Sequence, residues 1–332
     1  MSVVIPARFE TERLEPCLAA LREDPDATEV IVVVDDDDLT PTAAVAEAGG
    51  ARVVRAAEPP SGWVGKTWAL QQGLEAASGR WLVTLDADAR PRPGLLRALV
   101  AELAEADLVS AGPRLVTRTF GDRLLQPAML ATLPYRFGPP GPAGYEPPPD
   151  RVAVNGQCLA FHRERLVAKG GFTRTPTHMT DEIALARSLA AEEGWLVLFL
   201  DGADLLDVEM YSSAAETWRE WGRSLGMVDV TPPKALAVDL AVIWLAMALP
   251  LPRLLLGRGG RIDVALLAVR LGLLAALARS FSPRGPAFWL SPLADTAAAA
   301  RLTLAALRPS RTWRGRTYPH APARGTSARS TS

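Results

Sequence analysis

The sequence predicts an α/β fold in which a mostly parallel sheet is flanked by helices and followed by hydrophobic helices. Up to about Leu225, short apolar runs typical of buried strands alternate with amphipathic stretches typical of helices. Such alternation favours crossover connections and parallel pairing. After Pro232 the chain is rich in Ala and Leu, and from Arg308 onward in Arg, Ser, Thr and Pro. We therefore predict an α/β domain at residues 1–228, membrane-associated helices at 229–308 and a basic, partly disordered tail at 309–332.

Each predicted element is a run of one periodicity bounded by turn residues. The predicted strands are Val3–Ile5, Val30–Val34, Arg52–Val54, Trp81–Leu85, Asp107–Ser110 and Val197–Leu200. The predicted helices are Pro16–Glu23, Pro41–Ala48, Thr67–Ala77 and Pro93–Ala106. The apolar residues between Phe120 and Leu133 predict a further helix that lies on lipid. The Pro-rich stretch Pro134–Pro149 predicts a long irregular loop, either a lid or an entry for a substrate.

Length, charge and cysteine content narrow the class of protein. The 332 residues suffice for one large α/β domain and an appendage. A net charge of −1 provides no basic field of the kind that attracts nucleic acid, so we expect no nucleic-acid partner. Cys17 and Cys158 have neither metal-ligand spacing nor the pattern of a disulfide framework. The chain begins with the apolar run at Val3 and lacks the features of a signal peptide, which predicts a cytosolic catalytic face.

Two acidic residues after the predicted strand Trp81–Leu85 suggest a metal site. Asp86 and Asp88 lie two residues apart, so their side chains share one face at the carboxyl end of the strand. Ligands of open α/β sheets bind at this end of the strands. Two carboxylates there suit a hard divalent cation that holds a diphosphate. The alternative is a pair of turn carboxylates that cap the next helix.

Several short segments form an ordered set along the chain. They are Val3–Arg8 with Glu10, Val32–Asp36, Gly65–Lys66 with Ala69, Leu70 and Gly73, Asp86–Asp88, Asn155–Gln157, Gly170–Phe172 and Thr180–Leu185. The set spans about two thirds of the chain and resembles the nucleotide-sugar-binding domain of family 2 glycosyltransferases with the GT-A fold. The tail Thr312–Tyr318 and the hydrophobic segments before it resemble a membrane-bound branch that glycosylates isoprenoid lipids such as carotenoids or hopanoids.

The resemblance implies an inverting hexosyltransferase that uses a nucleotide sugar, with a UDP-hexose as the expected donor. It assigns donor binding to Pro6, Ala7, Glu10, Asp35, Asp36, Lys66, Asp86, Trp221 and Arg223. It assigns binding of Mg²⁺ or Mn²⁺ chiefly to Asp88, together with Asp86. Asp35 and Asp36 are expected to contact the base and the ribose, because carboxylates accept hydrogen bonds from a uracil N–H or a ribose hydroxyl. A solvated acidic turn is the alternative for this pair.

The segment Gly62–Thr67 partly matches the phosphate-binding loop of NTPases. That motif needs a glycine where this chain has Pro60, which has no N–H to offer a phosphate. We instead expect a loop before a helix, with Lys66 reaching the diphosphate as a point charge. Trp63 and Trp68 either line the sugar pocket or serve packing.

Thr180, Asp181 and Glu182 precede a helix-period apolar pattern. The resemblance places the general base here, and because the two acids stand in swapped order, Glu182 occupies the base position with Asp181 as the other candidate. The alternative is helix capping, with Thr180 as the N-cap. Trp221 and Arg223 stand where the family carries a Gln-x-x-Arg-Trp motif. They are expected either to contact the acceptor or diphosphate, or to anchor the chain at the membrane interface.

The hydrophobic segments predict an enzyme of the cell membrane with its catalytic domain on the cytoplasmic side. Ala235–Leu256 and Ile262–Ala278 are expected to form a two-span hairpin. Phe288–Leu307 carries Asp295 and Arg301, so we expect it to lie along the cytosolic interface and return the tail to the active site. The expected partners are a nucleotide-sugar donor, a lipid acceptor and the membrane. The alternatives are a polyprenyl-phosphate or polysaccharide acceptor, or a non-catalytic scaffold that binds sugar nucleotides.

Overall fold

The computed structural model describes residues 1–35, 41–138, 146–313 and 316–318. Its strands are β1 (Ser2–Ala7), β2 (Glu29–Val34), β3 (Arg52–Arg55), β4 (Trp81–Leu85), β5 (Ala89–Pro91), β6 (Leu108–Gly112), β7 (Arg114–Val116), β8 (Cys158–His162), β9 (Val197–Asp201), β10 (Leu206–Val208), β11 (Phe281–Ser282), β12 (Thr312–Trp313) and β13 (Arg316–Thr317). Its α-helices are α1 (Thr11–Arg22), α2 (Pro41–Ala48), α3 (Gly65–Ala76), α4 (Leu95–Glu102), α5 (Phe120–Phe137), α6 (Arg163–Ala168), α7 (Asp181–Glu193), α8 (Ala214–Ser224), α9 (Pro233–Val242), α10 (Pro250–Leu255), α11 (Arg261–Ala276), α12 (Gly285–Trp289) and α13 (Asp295–Leu307).

The main sheet is covered by helices on both faces. Within the described residues it has seven strands in the order β3-β2-β1-β4-β8-β6-β9, in which β8 runs antiparallel to β4 and β6 and the other neighbours are parallel. Val3 and Ile5 enter the buried cluster that includes α1 and α4, whereas Val4 enters the cluster that includes α3 and α7. This alternation follows from the two-residue period of a strand. The predicted mostly parallel α/β sheet is confirmed.

A second sheet joins the carboxyl edge of the main sheet to the C-terminal helices. Among the described residues its strand order is β11-β7-β10-β5. β5 begins directly after Asp88, and β11 pairs with β7 although the two are far apart in sequence. The helices that follow the α/β domain are therefore tied to the edge where ligands bind in such sheets.

Helix α5 belongs to the core, which corrects the prediction that it lies on lipid. Leu125, Ala128, Met129 and Ala131 are buried in a cluster formed with side chains of α13 and of the 243–248 segment. The sequence correctly indicated an apolar face, but the elements that cover it follow more than 100 residues later. The predicted loop Pro134–Pro149 is also partly wrong, because α5 continues through Pro134 to Phe137. Residues 139–145 of that loop lie outside the described residues.

Residues 233–276 form a helical hairpin. Within the described part of the chain, Pro233–Leu255 is the one helix that is long and apolar enough to cross a membrane. The second arm, α11, has 16 residues and a length of about 24 Å, shorter than the roughly 30 Å hydrocarbon core of a bilayer. The prediction of a second full span is therefore not supported.

Arg270, in the middle of α11, is neutralised inside the protein. Its Nε and Nη2 atoms each lie 2.9 Å from a carboxylate oxygen of Asp295, the first residue of α13, and both side chains are buried. Arg301, later in α13, donates hydrogen bonds to the carbonyl oxygens of Trp218 and Arg219 in α8. The third hydrophobic segment thus packs inside the protein. Its Asp295 is paired with α11 and its Arg301 with α8, which accounts for two of the charges that made it unsuitable as a span.

Candidate active site

The acidic pair Asp86 and Asp88 lies at the carboxyl end of β4, as the sequence predicts. The Asp86 N–H donates to the carbonyl oxygen of Gln157, which fixes the turn against the segment before β8. Asp88 is half-buried, and among the described residues its Oδ1 atom has no hydrogen-bond partner. Burial, followed by the charges of Asp86 and Glu10, raises the pKa of Asp88 to about 7. Carboxylates that repel each other in this way provide a site for a cation.

Lys66 lies against this acidic pair. Its Nζ atom is 2.9 Å from Oδ1 and 3.1 Å from Oδ2 of Asp86. Burial lowers the pKa of Lys66, but the carboxylates of Asp86, Asp181 and Glu182 outweigh it and hold the pKa above its usual range. Lys66 is therefore a permanent cation at the place where the metal-binding pair meets the candidate base.

A divalent cation bound to Asp86 and Asp88 would need further ligands to complete its coordination shell. Among the described residues, no group of three or more His, Cys, Asp or Glu side chains is arranged to hold a metal by itself. Mg²⁺ is commonly bound by one or two protein carboxylates and completes its shell with substrate phosphates and water. The unpartnered Oδ1 of Asp88 next to Asp86 fits this mode of binding. The protein thus offers part of a coordination shell.

The end of β1 and the end of β2 meet at the predicted nucleotide-binding position. Pro6 and Ala7 are buried, and the Ala7 carbonyl oxygen accepts the N–H of Asp35. Glu10 precedes α1, and Arg13 of that helix lies 3.8 Å from Glu10 and 2.9 Å from Glu216. Pro6, Ala7, Glu10 and Asp35 therefore lie along one edge. Asp36 lies outside the described residues.

Among the described residues, Arg8 and Arg316 both contact Asp35, and Arg316 comes from the far end of the chain. Arg8 Nη1 lies 3.6 Å from its carboxylate and also donates to its carbonyl oxygen. Arg316 Nη1 lies 2.8 Å and 2.9 Å from the two carboxylate oxygens. The sequence predicts that the tail returns to the active site but does not assign Arg316 to Asp35, because only tertiary structure brings positions 281 residues apart together.

The two acids at the start of α7 differ in exposure. Asp181 is 2% exposed, whereas Glu182 is half-buried. Burial, followed by the adjacent Asp181 carboxyl, raises the pKa of Glu182 to about 8 against the opposing effect of Lys66. Burial also raises the pKa of Asp181. Of the two, Glu182 combines access to a substrate with a pKa suited to proton transfer near neutral pH.

Gly156 forms the floor beneath Glu182. A Cβ atom at this position would lie 2.8 Å from both Cγ and Cδ of Glu182 and 3.1 Å from its Oε2. The Asn155 side chain accepts the Gln157 N–H and thereby holds the tight turn around the glycine. The close approach explains why this segment needs a residue without a side chain next to the candidate base.

Asp229 holds the segment that carries the two acids, a role that no local sequence pattern indicates. Its carboxylate accepts hydrogen bonds from the N–H groups of Met179 and Thr180 and from the Thr180 hydroxyl, at 2.7, 3.0 and 2.8 Å. The alternative interpretation, in which Thr180 caps α7, is not supported: its hydroxyl donates to Asp229, and within the described residues it makes no side-chain cap. Because Asp229 lies shortly before α9, its hydrogen bonds connect the start of the hydrophobic hairpin to the acidic turn.

A cavity of about 240 Å³ opens beside this turn. Its lining includes Met179, Met227, Val228 and Pro309, with Arg223 among the polar residues. Arg223 also pairs with Glu220 at 3.1 Å. Trp221, which is half-buried, packs against the hydrophobic clusters of the sheet and the appendage, and its contact with the acceptor or diphosphate stays a prediction.

Two tryptophans near α3 pack on each other. The rings of Trp63 and Trp68 are 4.9 Å apart in an edge-to-face arrangement, and Trp68 Nε1 donates to the Ala57 carbonyl oxygen. Of the two predicted alternatives, packing therefore accounts for both rings.

A parallel sheet with acids, a lysine and a candidate base at its carboxyl edge is the arrangement of a nucleotide-sugar glycosyltransferase with a GT-A-like fold. The chain belongs to glycosyl transferase family 2, whose family model matches residues 2–167, half of its length. The predicted family and enzyme class are thus confirmed. None of the curated proteins matches the chain significantly.

Solved structures similar to this chain include glucosyl-3-phosphoglycerate synthase from Mycobacterium tuberculosis. Its complex with phosphoglyceric acid is 21% identical, with a TM-score of 0.42, over 70% of this chain and 80% of that one. Its complex with Mn²⁺, UDP and glucosyl-3-phosphoglycerate is 20% identical, with a TM-score of 0.43, over the same shares. Its complex with Mg²⁺ and UDP is 22% identical, with a TM-score of 0.44, over 70% and 79%. Similarity at this level carries no argument about donor, acceptor or metal.

Proposed function

We propose that this glycosyltransferase moves a hexose from a UDP-sugar to the hydroxyl or carboxyl group of an isoprenoid lipid at the cytoplasmic face of the cell membrane. The observation that carries the proposal is the cavity beside the candidate base. Its lining includes Met179 and Thr180, directly before the acidic turn, and Met227 and Val228, a few residues before the hydrophobic hairpin. An acceptor bound in this cavity would lie near the acidic turn that carries Glu182.

The donor site uses the residues at the carboxyl edge of the sheet. Asp35 accepts hydrogen bonds from the nucleoside, and Lys66 offers its charge to the diphosphate. Asp88 and Asp86 would hold Mg²⁺ or Mn²⁺, which would offset the charge of the departing nucleoside diphosphate. The unpartnered Oδ1 of Asp88 supports this assignment.

Glu182 is the general base of the proposed reaction. Its carboxylate removes the proton of the acceptor as the acceptor oxygen attacks the anomeric carbon from the side opposite the diphosphate. A single displacement of this kind inverts the anomeric configuration. The greater exposure of Glu182 favours it over Asp181.

The appendage supports attachment to a membrane. Its exposed apolar side chains are concentrated on the hairpin and include Leu245, Leu255, Leu256, Ile262, Val264 and Val269. Contiguous exposed apolar surface is typical of membrane contact or protein interfaces. The contact between Arg316 and Asp35 requires the tail and the catalytic domain to lie on the same side of the membrane. This supports a hairpin that enters the bilayer from the cytosolic side and returns to it.

Mass spectrometry of extracted lipids tests the acceptor. Cells that produce the wild-type protein should contain a hexosylated isoprenoid that is absent from cells that produce the Glu182→Gln variant. The variant is the control because it is produced in the same cells at the same amount. A sugar on polyprenyl phosphate, or in the polymer left after lipid extraction, would move the proposal to the corresponding alternative acceptor. Absence of nucleoside diphosphate release with any lipid extract would favour a scaffold without turnover.

Cysteine labelling tests the topology. Cys17 and Cys158 are both buried, so the background reaction of the folded wild type with an impermeant thiol reagent should be low. A Ser327→Cys variant should be labelled only after the cytosolic side is opened. Labelling of intact cells at this position would place the tail outside and contradict the proposed orientation.

A further inference from the structure

The C-terminal residues 311–313 and 316–318, here called the tail hairpin, lie on the nucleotide-binding edge. β12 and β13 pair antiparallel, and the Tyr318 N–H donates to the carbonyl oxygen of Arg311. Arg311 Nη2 donates to the Thr177 carbonyl oxygen at 2.6 Å, which ties the base of the hairpin to the segment before α7. The hairpin is therefore fastened at its base, and the side chains of Arg316 and Tyr318 reach the donor site.

Two of the contacts among the described residues connect the tail hairpin to that site. Arg316 Nη1 donates to both carboxylate oxygens of Asp35, at 2.8 and 2.9 Å. The Gly65 N–H, at the first residue of α3, donates to the Tyr318 hydroxyl oxygen at 3.1 Å. A Cβ atom on Gly65 would lie 2.7 Å from Asp35 Oδ2 and 2.9 Å from the Tyr318 hydroxyl, so all three groups meet at one point.

Both contacts have the hydrogen-bonding polarity of a nucleoside diphosphate. A base N–H or a ribose hydroxyl donates to a carboxylate, as the Arg316 guanidinium does to Asp35. A phosphate oxygen accepts from N–H groups at a helix N-terminus, as the Tyr318 hydroxyl does from Gly65. α3 is 12 residues long and, among the described residues, has no side-chain cap at Val64, so its N-terminus would otherwise be open to an anion.

Burial shows that the hairpin covers these groups. The side chain of Asp35 is 6% exposed, and Tyr318 is 8% exposed. A nucleotide can therefore not reach the Asp35 carboxylate while Arg316 and Tyr318 keep their places. The Arg316 side chain is 24% exposed, so its own release needs little rearrangement.

We propose that the tail hairpin competes with the donor nucleotide for the same site. Arg316 occupies the place of the nucleoside at Asp35, and the Tyr318 hydroxyl occupies the place of a phosphate oxygen at the Gly65 N–H. This inference rests on the proposed role of Asp35 in donor binding. In the protein without nucleotide, the tail hairpin covers Asp35 and the N-terminus of α3. The donor binds by displacing the side chains of Arg316 and Tyr318. The apparent dissociation constant of the donor then exceeds the intrinsic one by the ratio of closed to open forms.

Calorimetric titration of the full-length protein with UDP and Mg²⁺ tests the proposal without any acceptor. With a closed form favoured about ten to one, Arg316→Ala should lower the dissociation constant about tenfold. Tyr318→Phe, which keeps the ring and removes the acceptor of the Gly65 N–H, should lower it less. Arg308→Ala is the matched control, since it removes an exposed arginine three residues before the hairpin and should leave UDP binding unchanged.

Weaker or unchanged UDP binding by Arg316→Ala would overturn the proposal, because the hairpin would then complete the donor site or be irrelevant to it. Binding of UDP, GDP or dTDP by neither the wild type nor Arg316→Ala would overturn both the donor assignment and the competitor. Tighter UDP binding by Arg316→Ala, together with the absence of any glycolipid product, would support competition by the tail hairpin and refute only the lipid acceptor.

Hydrogen exchange of the wild type provides a measurement that needs no variant. Saturating UDP should increase deuterium uptake in peptides that cover the tail hairpin, because displacement of Arg316 and Tyr318 releases two of the contacts that hold the hairpin on the domain. Reduced uptake there on addition of UDP would mean that the hairpin closes over the bound nucleotide, and would contradict displacement.

Discussion

Substitution of Gly156 by alanine is expected to disable the enzyme without unfolding it. The new Cβ atom would lie 2.8 Å from Cγ and Cδ of Glu182, whereas ordinary contacts of such atoms begin at 3.4 Å. The Glu182 side chain must therefore withdraw by about 0.6 Å, and more if it changes rotamer. The φ angle of Gly156 is not positive, so the backbone accepts alanine without strain.

The expected costs in stability and in activity differ widely. The displaced atoms are the end of a flexible, half-buried side chain, so the loss of folding free energy should be about 1 kcal/mol. A catalytic group misplaced by close to 1 Å costs about 10²-fold in turnover, equivalent to about 2.7 kcal/mol of activation free energy. Release of UDP at saturating donor and acceptor measures turnover, and thermal unfolding measures stability.

Gly49→Ala is the matched control for this experiment. Its Cβ atom would lie 2.3 Å from Leu18 Cδ1, in the core beside α1 and distant in sequence from the acids. Overpacking of this kind should cost about 1–3 kcal/mol of stability and leave turnover of the folded fraction unchanged. Wild-type turnover of a folded Gly156→Ala variant would refute the reasoning, because the position of Glu182 would then not matter.

Four further predictions follow from the same site. Glu182→Gln should lower turnover by about 10²-fold or more and Asp181→Asn by less; the reverse ranking in UDP-release assays would make Asp181 the base. Because the pKa of Glu182 is raised to about 8, kcat/KM should increase with pH up to about 8. The protonated carboxyl favours the folded state, so its contribution to the free energy of unfolding should be complete below pH 4.5 and lost as the pH rises through 8. Glu182→Gln should flatten the stability profile in thermal unfolding. Asp88→Asn should retain the fold and lose most activity, chelation should silence the wild type, and normal turnover of the variant would exclude Asp88 as a metal ligand. Asp229→Ala should lower kcat much more than it changes the donor KM, since it frees the acidic turn, and a changed KM alone would contradict this role.

The sequence predicts the elements that local patterns define. The strand Trp81–Leu85 is found at its predicted bounds, because an apolar run between a glycine and prolines has few alternatives. The helix Pro41–Ala48 is likewise found as predicted. β8, the strand Cys158–His162, was not predicted, because five residues that end in a half-buried histidine show no clear period.

Contacts between distant parts of the chain set the limit of prediction. Asp229 contacts the acidic turn from 49 residues away, and no local pattern distinguishes it from other surface aspartates. The alternative of a Thr180 cap is not supported, because this distant carboxylate accepts the hydrogen bond of the hydroxyl. Burial of α5 was missed in the same way, since an apolar helical face looks alike whether lipid or another helix covers it.

The ion pair between Arg270 and Asp295 has a consequence for how the protein is made. The partner of this arginine leaves the ribosome 25 residues after it. Until then the second arm of the hairpin carries an uncompensated cation, and its entry into a bilayer would cost roughly 2.5–3.5 kcal/mol. The buried position of Arg270 is therefore completed late, only after synthesis of α13 has begun.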